Sequence, residues 1–213
     1  MLQNKCSKLI AVIGISLFTG AAQAAFVELA VNGGFETGDF TDWTQFPGGG
    51  TQSITTVNPA SGIYAGNMYL EGGPSNNVLK QANLAAGLLA PGQTVSVSFD
   101  VRGTLADGGV LFAENFSELS GGGVSNNDLK VISVSSEWTH VSYDTVLGPD
   151  VSGGFTLQFA AVCGAATSCL ADVFLDNISI TADVSAVPIP AAVWLFGSGL
   201  IGLVGVARSR KAA

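Results

Sequence analysis

Residues equipped for chemistry are few in this sequence. It has one histidine, His140, and three cysteines, Cys6, Cys163 and Cys169. The last two stand close together in the segment VCGAATSC. Zinc would want four ligands and a redox pair the shorter C-x-x-C spacing. The plain reading of this pair is a disulfide closing a small loop, worth about 2 kcal/mol. No G-x-S-x-G nucleophile elbow and no H-E-x-x-H metal motif occurs in the chain. Glu114 and Glu118 are the nearest carboxylates that a glycosidase would use, but acids are abundant here and most should be solvated. His140 falls in a strand pattern beside Trp138, a half-exposed strand position rather than a base. The spelling G-x-G-x-x-G at 197–202 lies within an apolar run rather than between a strand and a helix, so it is no dinucleotide site. These residues predict a protein that is not an enzyme.

The charges divide the 213 residues into three. All 16 acids lie from Glu28 to Asp183, and only Lys80, Arg102 and Lys130 of the 8 bases accompany them, a net of −13. Such a body repels phosphate backbones and excludes nucleic acid as a partner; cations suit it better. Ahead of it, Lys5 and Lys8 precede a short apolar run at 9–18 and an A-x-A site at 22–24. That pattern predicts a signal peptide over 1–24, removed by signal peptidase. Behind the body, 191–207 is an uncharged apolar stretch at the lower limit for a transmembrane helix. Arg208, Arg210 and Lys211 follow at once and should stay cytoplasmic, leaving the acidic body outside. The two ends predict one topology independently.

Between them, 25–181 shows alternation of apolar and polar residues instead of a helical period. Val95, Val97, Phe99 and Val101 point one way and Thr94, Ser96, Ser98 and Asp100 the other. Phe155, Leu157, Phe159 and Ala161 repeat the pattern. Strands are expected at 26–31, 53–57, 63–70, 78–84, 94–101, 110–116, 129–134, 138–147, 155–161 and 173–181, divided by Gly- and Asn-rich loops. The expected fold is all-β, a jelly-roll or β-sandwich ectodomain plus one C-terminal transmembrane helix. A polar spacer at 182–186 separates the two.

The segment NGGFETGDFTDW, from Asn32 to Trp43, resembles the opening of carbohydrate-binding-module-like jelly rolls, the galactose-binding-like group. FLDNISI from Phe174 resembles their closing strand, and WTHVSY from Trp138 the strand before it. The resemblance implies a structural calcium held by Glu36 and Asp176, matched motif to motif; calcium wants hard oxygens and takes carbonyls from Gly-rich turns. The residues alone equally allow Glu36 as a surface turn residue and Asp176 as a strand-end cap. Sugar binding would need an exposed aromatic platform, and Trp43, Trp138, Tyr64, Tyr69 and Tyr143 are the candidates. Trp43 and Trp138 match framework positions, which favours core packing over sugar stacking.

Val187, Pro188, Ile189, Pro190 and Ala191, followed by VWLFGSGL and the basic end, resemble the PEP-CTERM sorting tail in its V-P-x-P-A variant, over residues 187–213. Ile189 stands where the name-giving motif has Glu. The resemblance implies an exosortase partner, export across the inner membrane of a Gram-negative bacterium, and a final place on the cell surface or in the extracellular matrix. Two expectations remain for the body: a module binding polysaccharide, or a structural or adhesive surface protein that binds no sugar. An exposed aromatic beside amide or acidic groups on one sheet would favour the first.

Overall fold

The two-residue period of these strands becomes two packed sheets. The computed structural model describes residues 25–184. Its strands are β1 (Ala25–Glu28), β2 (Thr44–Phe46), β3 (Thr51–Thr55), β4 (Ala65–Glu71), β5 (Ser75–Leu84), β6 (Thr94–Ala106), β7 (Gly109–Glu118), β8 (Val124–Ile132), β9 (Thr139–Val146), β10 (Gly154–Cys163) and β11 (Leu170–Val184). One sheet runs β3-β4-β11-β6-β9, with β1 paired to the far end of β11; the other runs β2-β5-β10-β7-β8. All pairings are antiparallel. The fold is an all-β sandwich, and the described residues hold no helix. The expected signal peptide, sorting motif, transmembrane helix and basic end lie outside the described residues.

Each expected strand is present, with shifted ends. β11 runs through Ala182 to Val184, pairing with Ala25–Val27, so the first three residues of the expected spacer belong to the sandwich. β2 was not expected: three residues are too few to show an alternation. β8 begins at Val124 because its Ser-Asn-Asn run, polar enough to read as a loop, pairs with β7 at the sheet edge.

The core is filled from both inner faces. Phe99 of β6 meets Phe159 of β10 edge-on at 4.9 Å between centroids, and Trp43 packs beside Phe159 and Phe35. These rings are buried, as are the inward residues Val95, Val97, Leu157, Val173 and Leu175. Burying such side chains contributes about 1.5–3 kcal/mol each.

Polar side chains also point inward and join the two sheets. Asn77 of β5, fully buried, donates to the carbonyls of Thr51 and Tyr69 at 2.8 and 3.1 Å and accepts from Gln52 at 2.6 Å. Gln81 accepts from Val31 N–H and donates to Val31 carbonyl, holding the segment after β1. Buried amides persist because each finds backbone partners. Cys163 and Cys169 form the expected disulfide, with Cα atoms 5.7 Å apart, across the β10–β11 connection. Gly72 N–H donates to the Cys169 carbonyl at 2.8 Å, docking that loop on the β4–β5 turn.

Candidate functional site

The opening motif is an anchor for one end of the sandwich. Asn32, at φ 51°, accepts the Trp43 indole N–H on its carbonyl and spans its own loop through its side chain to Thr37, Asp39 and Thr41. Gly33 lies against β11: its carbonyl accepts from Ile178 N–H at 2.9 Å, and a Cβ there would stand 1.9 Å from the Ile178 oxygen. Phe35 then enters the core, while Glu36 remains at the surface.

Glu36 and Asp176 are brought together by one loop, residues 60–64. Asp176 is fully buried and accepts from the N–H groups of Ala60, Ser61 and Asn177 at 2.9, 3.1 and 2.7 Å. Glu36 accepts from Ile63 and Tyr64, with contacts of 3.0 to 3.2 Å. Asp176 Oδ1 and the Glu36 side chain each lie 3.6 Å from where a Cβ on Gly34 would stand. Along the loop, between the residues that donate to the two acids, lies Gly62, at φ 60°, where a Cβ would meet the Glu36 carboxylate at 2.2 Å. Burial pushes the Asp176 carboxyl above its ordinary value; the three N–H donors oppose this, and the Glu36 charge adds to it. Neither acid has a lysine, arginine or histidine partner among the described residues. Adjacent carboxylates with no cation fit a hard metal ion, with lone pairs left on each beyond those the N–H groups use. No cluster of three acidic, histidine or cysteine side chains occurs among the described residues, so the remaining ligands would be carbonyls and water.

The outward face of the β3-containing sheet is polar and internally tied. The Arg102 guanidinium lies 3.9 Å from the Phe174 ring centroid and 5.1 Å from that of Trp138, and donates to the Val57 carbonyl at 3.0 Å. Trp138 donates to Asn58 carbonyl at 2.9 Å. Trp138 is therefore half-exposed outside the sheet, not in the core as its framework match implied; it covers an arginine and fastens the loop after β3. His140 is exposed and pairs with Asp100 at 2.8 Å, as expected of a strand position. Around them stand Ser96, Ser98, Thr104, Ser142 and Asp144.

The other aromatic candidates are also engaged. Trp43 is core. Tyr64 packs over Gly38, and Tyr69 donates to Glu71 at 2.5 Å. Tyr143 lies edge-on to Phe99 and donates to Asn115; burial pushes its hydroxyl up to about 12.

The outward face of the β2-containing sheet is different. In β7 the polar residues Asn115 and Ser117 point inward, buried, while Phe112 and Phe116 point outward beside Glu114 and Glu118. Asn115 is satisfied by the Asp128 carbonyl at 3.0 Å and by Tyr143; Ser117 accepts from Gly148 N–H at 2.9 Å. Register then builds rows across all five strands. One is apolar: Phe46, Val78, Ala160, Phe112 and Val131. The next is mainly polar: Thr44, Lys80, Gln158, Glu114 and Leu129. A third continues from Thr156 to Phe116 and Asn127.

Exposure on this face, here the trough, rises from the middle strand to the edges. The outward residues of central β10 are covered, Ala160 being 4% and Thr156 1% exposed, while Phe46 and Val131 at the two edges are 51% and 68% exposed. The rows span about 19 Å across five strands, with about 7 Å between them. One end opens into a cleft of about 560 Å³ reached by Lys80, Ala82 and Glu118 and rimmed by Gly122 and Gly153. Glu114 and Glu118 share this face four residues apart on one strand, about 13 Å between their backbones. The outward phenylalanines are not among the Trp and Tyr candidates that the sequence offers for a sugar platform. Their signal is present in LFAENFSE, whose two alternating sets are each half apolar. A wider groove of about 820 Å³ lies between the edges of β2 and β3, but its one unpartnered amide oxygen, Gln52 Oε1, is buried out of reach.

No family model and no curated protein matches the sequence. Solved structures match the fold. The chain is similar to the CBM22-1 xylan-binding domain from Paenibacillus barcinonensis Xyn10C, with 14% identity, 78% of this chain and 100% of that one covered, and a TM-score of 0.54. TmCBM61, solved in complex with beta-1,4-galactotriose, is similar with 19% identity over 73% of this chain and 99% of that one, at a TM-score of 0.50. The enzymatically active domain of bacteriophage CBA120 tailspike protein 4 is 14% identical over 72% of this chain, at a TM-score of 0.58; this chain spans only 21% of it. The body thus has the jelly-roll sandwich architecture found in carbohydrate-binding modules, an architecture that also occurs within an enzyme chain.

The raised Asp176 pKa has a defined sign. Between the ordinary value of 3.8 and its higher folded value, the folded protein holds a proton that the unfolded chain has released. Asp176 therefore adds stability as pH falls through that window and opposes folding above it. In chelator-treated protein, carbon-13 titration of the Asp176 carboxyl should give a midpoint above 3.8, lowered in Glu36→Gln; a wild-type midpoint at or below 3.8 contradicts the burial argument.

Proposed function

We propose that this is an exported, non-catalytic protein of the cell surface or extracellular matrix whose sandwich binds glycan across the outward trough. One observation carries the reading: β7 turns Asn115 and Ser117 inward and leaves Phe112 and Phe116 outside. Each ring held outside keeps apolar area that a ligand can cover, on the order of 1 kcal/mol per ring. Sugars present apolar C–H faces and a rim of hydroxyls, which match an aromatic floor beside Gln158, Glu114 and Asn127. The exposed Phe46 next to these groups favours glycan binding over a purely structural or adhesive body. That solved neighbours include a xylan-binding domain and a galactotriose-bound module agrees with it.

Export is supported by the leader at 1–24 and by the disulfide, which belongs to oxidising compartments. In this reading the tail at 187–213 is recognised by an exosortase after signal peptidase has acted. The prolines of the motif, Pro188 and Pro190, are residues that disfavour helix, which suits recognition by a protease that binds extended chain. Calcium bound between Glu36 and Asp176 would neutralise the two acids and fasten loop 60–64 to β11, a structural role distant in chemistry from the trough.

Three measurements test these parts. On a glycan array the protein should bind, and Phe116→Ala and Gln158→Ala should each weaken the best binder about tenfold or more, about 1.4 kcal/mol; undiminished binding by both variants removes the trough from the reading. Calcium should raise the melting temperature of chelator-treated protein, and Asp176→Asn should abolish the rise; a midpoint indifferent to calcium removes the metal. Mass spectrometry of the protein from its host should find a first residue near Ala25 and no basic end; a product that still carries Lys211 refutes processing of the tail.

A further inference from the structure

The trough has one cation, and it is unpaired. Among the described residues the basic side chains besides His140 are Lys80, Arg102 and Lys130. Arg102 is enclosed by Phe174, Trp138 and the Val57 carbonyl, and Lys130 sits 3.0 Å from Asp128. Lys80 has no carboxylate within salt-bridge distance among the described residues; its ammonium lies 5.3 Å over the Phe46 ring. That contact keeps the charge on the platform. A body with 16 acids has ample means to pair a lysine, yet this one is left bare between Thr44 and Gln158, at the mouth of the 560 Å³ cleft.

We infer that the trough takes an acidic glycan, one bearing carboxylate groups at intervals, and that Lys80 receives the carboxylate; this rests on the glycan-binding reading above. The row sets a polarity. Glu114 lies two strands from Lys80, about 10 Å between backbones, so an acidic sugar is accepted over β5 and repelled over β7. Glu118 closes the far side of the cleft to anions in the same way. The net charge of −13 between Glu28 and Asp183 repels a densely charged polyanion, which restricts the class to sparsely charged polymers.

Polymer pairs that share a backbone and differ in charge test this: lightly substituted carboxymethylcellulose against hydroxyethylcellulose, and hyaluronan against its carboxyl-reduced form. By affinity electrophoresis the acidic member of a bound pair should be retained about tenfold more tightly in about 20 mM salt, with the difference shrinking in about 0.5 M salt. Lys80→Met, which keeps the alkyl stem on Phe46, should lose the preference while still binding the neutral member, and Lys80→Arg should keep it. Equal affinity for both members, or a preference that survives Lys80→Met, overturns the assignment and leaves the trough intact. Binding to neither member of any pair, in wild type as in Phe116→Ala, overturns the glycan reading and this inference with it.

Discussion

The parity of a β-strand is the constraint on which this molecule turns. Successive side chains alternate between faces, so whichever set of β7 enters the core sends the other into solvent. The inward set here includes Asn115 and Ser117, which the core tolerates because Asp128, Tyr143 and Gly148 satisfy them. A one-residue slip would bury Phe112 and Phe116 but expel Leu111 and Ala113 and leave two glutamates inside. Burying even one unpaired carboxylate costs several kcal/mol, more than two rings return. Glu114 and Glu118 therefore hold the register, and the phenylalanines are carried outside with them.

The same economy runs through β5. Asn77 and Gln81 face inward and bind backbone groups of β3, β4 and the segment after β1. They make the sheet-to-sheet joint partly by hydrogen bonding, at positions where an apolar core would use a larger side chain. Val78, Lys80 and Ala82 consequently occupy the outer face. Both strands flanking β10 thus put polar groups in and apolar groups out, and Ala160 and Thr156 between them are covered by these larger neighbours.

Much of the fold was legible because most strands obey the simple rule. β6 and β10 carry clean alternation with one plainly apolar set, and their inward residues are those expected. The opening and closing motifs are linked in the sequence through the family resemblance alone, and the structure joins them by the close approach of Gly33 to Ile178 and the burial of Phe35 and Asp176. The trough was not legible. In β7 the two alternating sets are equally mixed, and hydropathy alone cannot choose between Phe-Glu-Phe-Glu and Leu-Ala-Asn-Ser. The cost of burying Glu114 and Glu118 decides it, and only because the inward Asn115 and Ser117 are satisfied by residues far away in sequence, Tyr143 and Gly148, information that exists only once the strands are paired. Trp138 was misplaced for a related reason: its partner Arg102 comes from a neighbouring element, and a tryptophan over a guanidinium reads in sequence like one in a core.

The two outer faces differ in how far their side chains are engaged within the protein. On the β3-containing sheet the large side chains around its middle are engaged: Arg102 and Trp138 hold residues 57 and 58, Tyr69 holds Glu71, and Asn67 holds Asp172, while the exposed Phe26 and Val146 stand on the outer strands β1 and β9. A ligand there would have to displace internal contacts and would gain only the difference. On the opposite sheet Phe46, Phe112, Lys80, Gln158 and Glu114 make no hydrogen bonds or ion pairs with other described side chains. Groups left without internal partners on a half-covered apolar floor are the ones whose solvation a ligand can replace at little cost. The sandwich therefore separates its tasks by face, one fastening the loop that binds Glu36 and Asp176, and the other leaving side chains without hydrogen-bonded partners.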